Sequence, residues 1–184
     1  MNAPDLPEPL AAPQRFAGRL EAEVVCTDVL LPLDRPSPAV VAVSLAARAS
    51  GLWPAIAGLL ALRPGVTRRA ARHGVIAVAA ATTAGHLLGH LVHRRRPDVA
   101  DVPARRALPE HPSSSAFPSA HAASTAAFAT AIALGAPALG ALLTPPAALV
   151  AYSRLRTRVH WPTDVLGGAL LGSGAALLTR RLCR

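Results

Sequence analysis

The stretch SRLRTRVHWPTD, Ser153 to Asp164, places chemically active side chains between two apolar segments. His160 and Asp164 stand about one helical turn apart, so the carboxylate can accept one ring N–H of the histidine if Trp161 and Pro162 open a helix. The other ring nitrogen is then free of a proton and can attack phosphorus. Taken alone, the pair more often marks a helix start, where an aspartate interacts with the helix dipole.

Two further polar stretches stand at the ends of apolar segments and complete the inventory of a phosphate site. HRRRPD (93–98) supplies arginines, and FPSAHAAST (117–125) supplies a serine and His121. Arginines, a serine, two histidines and a carboxylate are the groups that a phosphate site with a nucleophile and an acid requires. Because histidine titrates near neutral pH, His121 is the candidate general acid for a leaving alkoxide.

The phosphate oxygens need hydrogen-bond donors, and two kinds are available. Arg96 and Arg154 are candidates because guanidinium forks fit phosphate geometry and stay charged. The Ser119 hydroxyl, with the backbone N–H groups of Ser119, Ala120 and His121, is a second candidate anion site at a predicted helix start. A plain N-cap serine uses the same atoms, and the sequence does not separate the two roles.

Other basic residues near these stretches receive structural interpretations. His86, His90 and His93 fall on one side of a predicted helix, but no carboxylate or cysteine accompanies them, so a metal site is not favoured. We expect them to line the polar end of that helix near the pocket. Three of the other arginines are interpreted as interfacial anchors to lipid headgroups: Arg94, Arg156 and Arg158.

The composition indicates a membrane protein. The chain has 184 residues, 52% of them hydrophobic and only 16% charged, whereas soluble domains carry ~25% charged residues. The net charge of +9 comes from arginine, since no lysine is present. A nucleic-acid binder is also basic, but it rarely contains so many apolar runs, so that class is disfavoured.

The apolar segments predict an all-α, integral membrane bundle of about five spanning helices. Small residues throughout favour close helix packing. A soluble bundle of apolar helices is the alternative, because several segments approach the lower length limit for a span. The predicted segments are 39–62, 74–92, 119–153, hinged near 135–137 and 144–146, and 165–178.

The N-terminal region differs in composition from the rest. Residues 1–13 are rich in proline and predicted to be disordered, and an amphipathic helix is predicted to follow. We therefore divide the chain into a tail with its helix, 1–37, and a membrane-embedded domain, 38–184. No cleavable targeting segment is recognised, and Cys26 and Cys183 predict neither a disulfide nor a metal site.

Arginine placement predicts the orientation. The run RPGVTRRAAR (63–72) and the tail RRLCR have no other evident role and mark the cytoplasmic side. Loops 93–118 and 154–163 then share the opposite side of the membrane. The candidate site is accordingly predicted on the non-cytoplasmic face of a multi-pass protein.

The polar stretches, in this order, resemble the motifs of the type 2 phosphatidic acid phosphatase superfamily, which shares its site with vanadium haloperoxidases. The family motifs read Lys-x6-Arg-Pro, Pro-Ser-Gly-His and Ser-Arg-x5-His-x3-Asp. The resemblance spans roughly residues 38 to 180. Gly89 stands where the first motif has lysine, and Ala120 replaces the glycine of the second. The matching positions are Arg96-Pro97, Pro118-Ser119-Ala120-His121, and Ser153-Arg154 with His160 and Asp164.

The resemblance implies a membrane lipid phosphatase that works without a metal or cofactor. It implies that His160 is the nucleophile, His121 the acid and Asp164 the residue that orients His160. The substrate would be a phosphomonoester or pyrophosphate of a lipid: phosphatidate, phosphatidylglycerol phosphate or a polyprenyl type, including decaprenylphosphoryl-phosphoribose. The alternatives are a catalytically weak protein that binds lipid phosphate, for which Gly89 argues, and a vanadate-dependent haloperoxidase relative. The implied phosphate-binding residues are Arg96, Ser119, Ala120 and Arg154.

Overall fold

The computed structural model describes residues 43, 51–96, 114–157 and 159–182. These residues form helices and contain no strand, which confirms the all-α prediction. The predicted N-terminal helix, the boundary at residue 37 and both cysteines lie outside the described residues and stay predictions. The five helices are α1 Leu52–Ala61, α2 Val66–Leu91, α3 Ala120–Gly135, α4 Pro137–Arg156 and α5 Pro162–Leu182.

Helix α3 lies at the centre of the bundle and packs against α2, α4 and α5. Most of its inward side chains are alanines, and its two large ones, Phe128 and Ile132, are completely buried. Phe128 also contacts Trp53 of α1, with ring centroids 5.2 Å apart. Because alanine adds little width to a helix, the neighbours of α3 approach its backbone closely.

The approach of α5 to α3 is the tightest, and glycine makes it possible. A Cβ atom added to Gly172 would lie 2.1 Å from the Ala123 carbonyl oxygen, and one added to Gly168 would lie 2.4 Å from that of Ser119. The two glycines are one turn apart and face α3, as in small-xxx-small packing. This contact aligns the starts of α5 and α3, where the Ser119 N–H donates to the Asp164 carbonyl oxygen at 3.0 Å.

The outer surface of the bundle carries the large aliphatic side chains. Leu59, Leu142 and Leu170 are 68%, 70% and 67% exposed, whereas the interior is built from alanine and glycine. This distribution suits contact with lipid, where small residues pack between helices and apolar side chains face the bilayer. This distribution favours a membrane protein over the alternative of a soluble bundle.

The lengths of the helices bear on how many of them span the membrane. Among the described residues, α2 is long and apolar enough to cross a membrane, with 26 residues and a mean hydropathy of 1.4 over its best window. Helices α1 and α3 have 10 and 16 residues, fewer than the ~20 that a perpendicular span requires. The predicted count of about five spans is therefore not established.

Two helix boundaries differ from those predicted. Helix α2 begins at Val66 rather than near residue 74, so most of the arginine run 63–72 lies in its first two turns. Helix α4 continues through Pro145 and Pro146, where a hinge was expected, while the break at Ala136 is confirmed. Both prolines are exposed, and membrane helices tolerate proline because neighbouring groups and small local adjustments satisfy the backbone oxygens that it leaves without a donor.

The α3–α5 contact predicts a sharp difference between two glycines of α5. Gly172→Ala forces the helices apart and should lower the free energy of unfolding by about 1–3 kcal/mol, as overpacking does. Gly174→Ala is the matched control, because no atom lies within 4 Å of its added Cβ; it should be neutral or stabilise by up to about 1 kcal/mol. Thermal unfolding in detergent measures both, and equal midpoints for the two variants would contradict the close approach.

Candidate active site

A cavity of about 390 Å³ at one end of the bundle collects residues from all three polar stretches. The C-terminal part of α2, the segment before α3, the start of α3, the end of α4 and the segment before α5 enclose it. Most of the predicted site residues thereby meet in one place. Those that line it are Arg96, Ala120, His121, Arg154 and His160, together with Gly89, His86, His90 and His93.

The His160 ring is held by a backbone acceptor. Its Nδ1 lies 2.8 Å from the Ala116 carbonyl oxygen. A carbonyl oxygen only accepts, so Nδ1 carries the hydrogen and Nε2 bears the lone pair. Nε2 lies 3.3 Å from Nη1 of Arg96, a donor, which agrees with that assignment. His160 is 6% exposed, and its cavity side presents the nitrogen that can attack an electrophile.

Asp164 does not make the hydrogen bond to His160 that its spacing suggested. Its Oδ2 lies 3.7 Å from Nδ1 of His160, beyond hydrogen-bond distance. Oδ2 instead accepts the backbone N–H of Trp161 at 2.8 Å, and Oδ1 accepts from Nη1 of Arg94 at 2.9 Å. The completely buried carboxylate therefore lies close to His160 without a direct hydrogen bond to its ring.

Arg94 is not an interfacial anchor, as the sequence interpretation had it. Its Nη1 forms an ion pair with the buried Asp164 carboxylate and also donates to the Thr163 hydroxyl. The guanidinium carbon lies 6.0 Å from the centroid of the Trp161 ring, within cation–π range. Three adjacent arginines look alike in sequence, and only the fold shows which one turns towards Asp164.

Arg96 lines the cavity and is fixed by backbone oxygens. Its Nη1 donates to the Val159 carbonyl oxygen at 2.7 Å, and its Nε to that of Ser114 at 3.2 Å. Burial lowers the pKa of the guanidinium, which the Asp164 charge partly offsets. Arginine nevertheless stays protonated in proteins, so Arg96 is a partly desolvated cation that an anion in the cavity would stabilise.

Arg154 is the second guanidinium of the cavity, and it is almost fully buried at 3% exposure. Its Nε donates to the Ser153 hydroxyl at 3.3 Å. Burial and this hydrogen bond restrict the rotamers of the side chain, so it is positioned in advance of any ligand. Arg156 does not line this cavity, and Arg158 lies outside the described residues.

At the start of α3, Ser119 makes the contacts of an N-cap. Its hydroxyl accepts the N–H of Ala122 at 3.5 Å as an N-cap, and its own N–H is bonded to the Asp164 carbonyl oxygen. Ser119 is completely buried and does not line the cavity, whereas Ala120 and His121 do. The backbone N–H groups that remain candidates for binding an anion are therefore those of the first two residues of α3, Ala120 and His121.

Sequence reasoning missed the segment before α3. The Ser115 hydroxyl donates to the Val92 carbonyl oxygen at 2.5 Å and accepts the N–H of Arg94 at 3.2 Å, which ties this segment to the end of α2. Ala116 then presents its carbonyl oxygen to His160. The run of serines just before the Phe-Pro-Ser-Ala-His stretch was the available signal for Ser115, but a backbone acceptor at Ala116 leaves no trace in sequence.

The histidines of α2 line the cavity, as predicted. His86, His90 and His93 are exposed side chains on its wall. No group of three or more metal-ligating side chains occurs within the described ranges. Their imidazoles add hydrogen-bond donors to a cavity that already holds two guanidinium groups.

Comparison with known proteins places these residues in a family context. The model of the PAP2 superfamily matches residues 71–183. A decaprenylphosphoryl-5-phosphoribose phosphatase of Mycolicibacterium smegmatis is 40% identical over 122 residues, covering 63% of this chain and 62% of the relative. A protein of the same name from Mycobacterium tuberculosis is 45% identical over 89 residues, covering 47% and 46%. The chain thus matches less than two thirds of the length of these relatives.

Two solved structures share the fold. The crystal structure of Aquifex aeolicus LpxE superposes with a TM-score of 0.64 and 22% identity, covering 80% of this chain and 89% of that one. A transmembrane PAP2-type phosphatidylglycerolphosphate phosphatase from Bacillus subtilis superposes with a TM-score of 0.63 and 22% identity, covering 94% and 87%. At this identity the likeness concerns the fold.

The ion pair between Arg94 and Asp164 predicts a selective loss of stability. Arg94→Ala leaves a buried carboxylate without its cation and should lower the free energy of unfolding by about 3 kcal/mol. Arg95→Ala, at an exposed neighbour, should change it by less than about 0.5 kcal/mol. Denaturation in detergent measures both.

The double variant Arg94→Ala/Asp164→Asn tests the cause. Removal of the buried charge should recover part of the lost stability, because an amide oxygen still accepts the Trp161 N–H. If the double variant is less stable than Arg94→Ala, the loss does not come from an unpaired carboxylate.

Proposed function

The chain belongs to the PAP2 superfamily, and on that premise we propose that it hydrolyses a phosphate ester of a membrane lipid in the cavity around His160. One observation carries the proposal. The hydrogen bond from Nδ1 of His160 to Ala116 leaves Nε2 unprotonated, in a cavity that also holds His121, Arg96 and Arg154. A fixed nucleophile, an acid and two cations are the groups that phosphoryl transfer needs.

In the first step, Nε2 of His160 attacks phosphorus. The Nε2–P bond forms while the bond from phosphorus to the ester oxygen of the leaving group breaks. Protonated His121 gives its proton to that oxygen, which departs as an alcohol, or as a phosphate when the substrate is a pyrophosphate. Phosphohistidine formation makes the ring cationic, and the Asp164 carboxylate, 3.7 Å from Nδ1, stabilises that charge.

In the second step, water cleaves the phosphohistidine. His121, now neutral, accepts a proton from the water as its oxygen bonds to phosphorus. The Nε2–P bond breaks, inorganic phosphate leaves, and His160 returns to the Nδ1–H tautomer that Ala116 favours. His121 is protonated again, so the cycle closes without any other reactant.

In both transition states, the fixed hydrogen-bond donors of the cavity stabilise the negative charge on the phosphoryl oxygens. Arg96 and Arg154 are held by protein groups before substrate arrives, so little reorganisation accompanies the reaction. The backbone N–H groups at Ala120 and His121 add the positive end of the α3 dipole.

For the substrate we propose a polyprenyl-linked sugar phosphate, as the names of the mycobacterial relatives suggest for those proteins. A mostly apolar groove of about 440 Å³ begins at Ala122, next to His121, and runs between α3, α4 and α5. It offers a lipid tail a path beside the catalytic cavity. The site would face the non-cytoplasmic side, because the arginine runs lie at the other end; accessibility of the site to an impermeant reagent added outside the cell checks this.

Variants of the two histidines test the mechanism. His160→Ala should abolish phosphate release from every substrate, because no phosphohistidine can form. His121→Ala should slow alkyl phosphate hydrolysis by about 10²–10⁴-fold, but slow an aryl phosphate much less, since a phenolate leaves without a proton. Release of inorganic phosphate from detergent-solubilised protein measures both, and Arg95→Ala is the control that should keep wild-type rates.

The same assay checks the alternatives. Hydrolysis should continue in EDTA, and the polyprenyl sugar phosphate should exceed phosphatidate and phosphatidylglycerol phosphate in kcat/KM. Wild-type activity in His160→Ala would refute the nucleophile. A protein that binds lipid phosphate without releasing phosphate from any member of the panel would be the non-catalytic binder instead.

Gly89 makes a further test possible. A Cβ atom added there would lie 3.7 Å from the Phe117 carbonyl oxygen and 4.0 Å from Cβ of Ser115, which is ordinary contact, so a side chain fits. We expect Gly89→Lys to lower KM by about tenfold, because one charge-assisted hydrogen bond contributes about 1.5 kcal/mol. Gly89→Met, of similar length without charge, should not lower it. If both variants behave alike, charge at this position has no role.

A further inference from the structure

A second cavity, with basic side chains in its wall, lies at the opposite end of the bundle. Its volume is about 550 Å³, larger than that of the catalytic cavity, and α2, the end of α3 and the end of α5 enclose it. Four basic side chains line it, and none belongs to the catalytic site. They are Arg69, Arg72 and His73 of α2 and Arg180 of α5.

The two cavities are well separated along every helix that they share. The catalytic cavity begins at Gly85 of α2, nine residues beyond Ile76, the last α2 residue of the second cavity, which at 1.5 Å per residue is about 14 Å. Helix α3 contributes its first residues to the catalytic cavity and its last to the second cavity, and α5 lines only the second cavity, through Arg180 near its end. An anion bound in this second cavity would not contact His160.

The charge of the second cavity has no counterpart in the described part of the chain. The single carboxylate within those ranges is Asp164, which lies at the other end and pairs with Arg94. Three arginines around one cavity repel one another, and an anion between them would remove that cost. Guanidinium groups also match phosphate geometry.

Part of the cavity is arranged in advance. Nη1 of Arg180 donates to the Leu134 carbonyl oxygen at 2.6 Å, which holds the guanidinium across the end of α3. Nε2 of His73 bonds to the Ala176 carbonyl oxygen and to the Thr179 hydroxyl, which joins α2 to α5 at the cavity wall. A ligand here would thus find a basic side chain already oriented.

The rim of the cavity is apolar. Val66 and Ile76 line it and are 51% and 46% exposed, on an outer surface that faces lipid. A ligand with a phosphate and adjoining hydrocarbon would satisfy both the arginines and this rim. Inorganic phosphate would satisfy the arginines alone.

We propose that this second cavity binds the phosphate headgroup of an anionic phospholipid from the leaflet at that end of the bundle. Basic pockets between membrane helices bind such headgroups through charge and hydrogen bonds. The bound lipid would join α2 to α5 at the end remote from the catalytic cavity. This inference does not depend on the proposed hydrolysis.

The test compares lipids on the full-length protein in detergent, by thermal unfolding. Phosphatidylglycerol should raise the unfolding midpoint of the wild type, and neither phosphatidylcholine nor inorganic phosphate should do so. Arg69→Gln should weaken the apparent affinity for phosphatidylglycerol by about tenfold, the effect of one charge-assisted hydrogen bond. Arg180→Gln should weaken it as well, and His160→Ala should keep the full response.

Variants that remove one positive charge outside the cavity serve as controls. Arg63→Gln and Arg181→Gln remove one exposed arginine each near the same end, outside the cavity, and should leave the lipid response intact. The proposal is overturned if they weaken it as much as Arg69→Gln does, if phosphatidylcholine acts like phosphatidylglycerol, or if inorganic phosphate alone gives the full shift. Loss of the response in His160→Ala would assign the lipid to the catalytic cavity.

Discussion

The buried carboxylate of Asp164 holds together the segments that carry the candidate site. Its two oxygens accept from Arg94 and from the Trp161 backbone, and its own carbonyl oxygen accepts the Ser119 N–H. The end of α2, the start of α5 and the start of α3 therefore meet at one residue. A buried charge is costly unless it is fully bonded, so this arrangement tolerates few alternatives, and it fixes where both histidines stand.

The helices bring these segments into register through small residues. Gly168 and Gly172 let the backbone of α5 touch that of α3. This contact sets the relative position of the two helices along their axes, so that Asp164 lies beside Ser119. A larger side chain at either glycine would slide one helix end away from the other. Lipid facing the outer leucines supplies no hydrophobic drive for association between helices, so close packing and hydrogen bonds must hold the bundle together.

The features that were predictable from sequence are those set by local geometry or composition. His160 and Asp164 are four residues apart in sequence, and the helix that Pro162 opens contains Asp164. A helix start at Ser119 could be recognised from the cap and the apolar run after it. The apolar composition indicated the all-helical membrane fold. The catalytic roles assigned to these residues stay proposals.

The features that sequence could not supply arise from contacts between distant segments. Arg94 reaches Asp164 across 70 positions of sequence, and the neighbouring Arg95 and Arg96, identical in type, turn elsewhere. Helix α4 continues through Pro145 and Pro146, where a hinge was expected, and composition does not reveal which prolines a helix accommodates. The acceptor for Nδ1 of His160 is a backbone atom, and the carboxylate that its spacing favoured lies 3.7 Å away, beyond hydrogen-bond distance.

Because the acceptor for Nδ1 of His160 is a backbone atom, few substitutions can remove it. Every residue type carries the same carbonyl oxygen, so no replacement at position 116 deletes the acceptor that sets the His160 tautomer. Alanine scanning would pass over it without a signal. The acceptor can be lost only by displacement, through the residues that hold this segment, and the Ser115 hydroxyl, anchored to the end of α2, is where such a loss would begin.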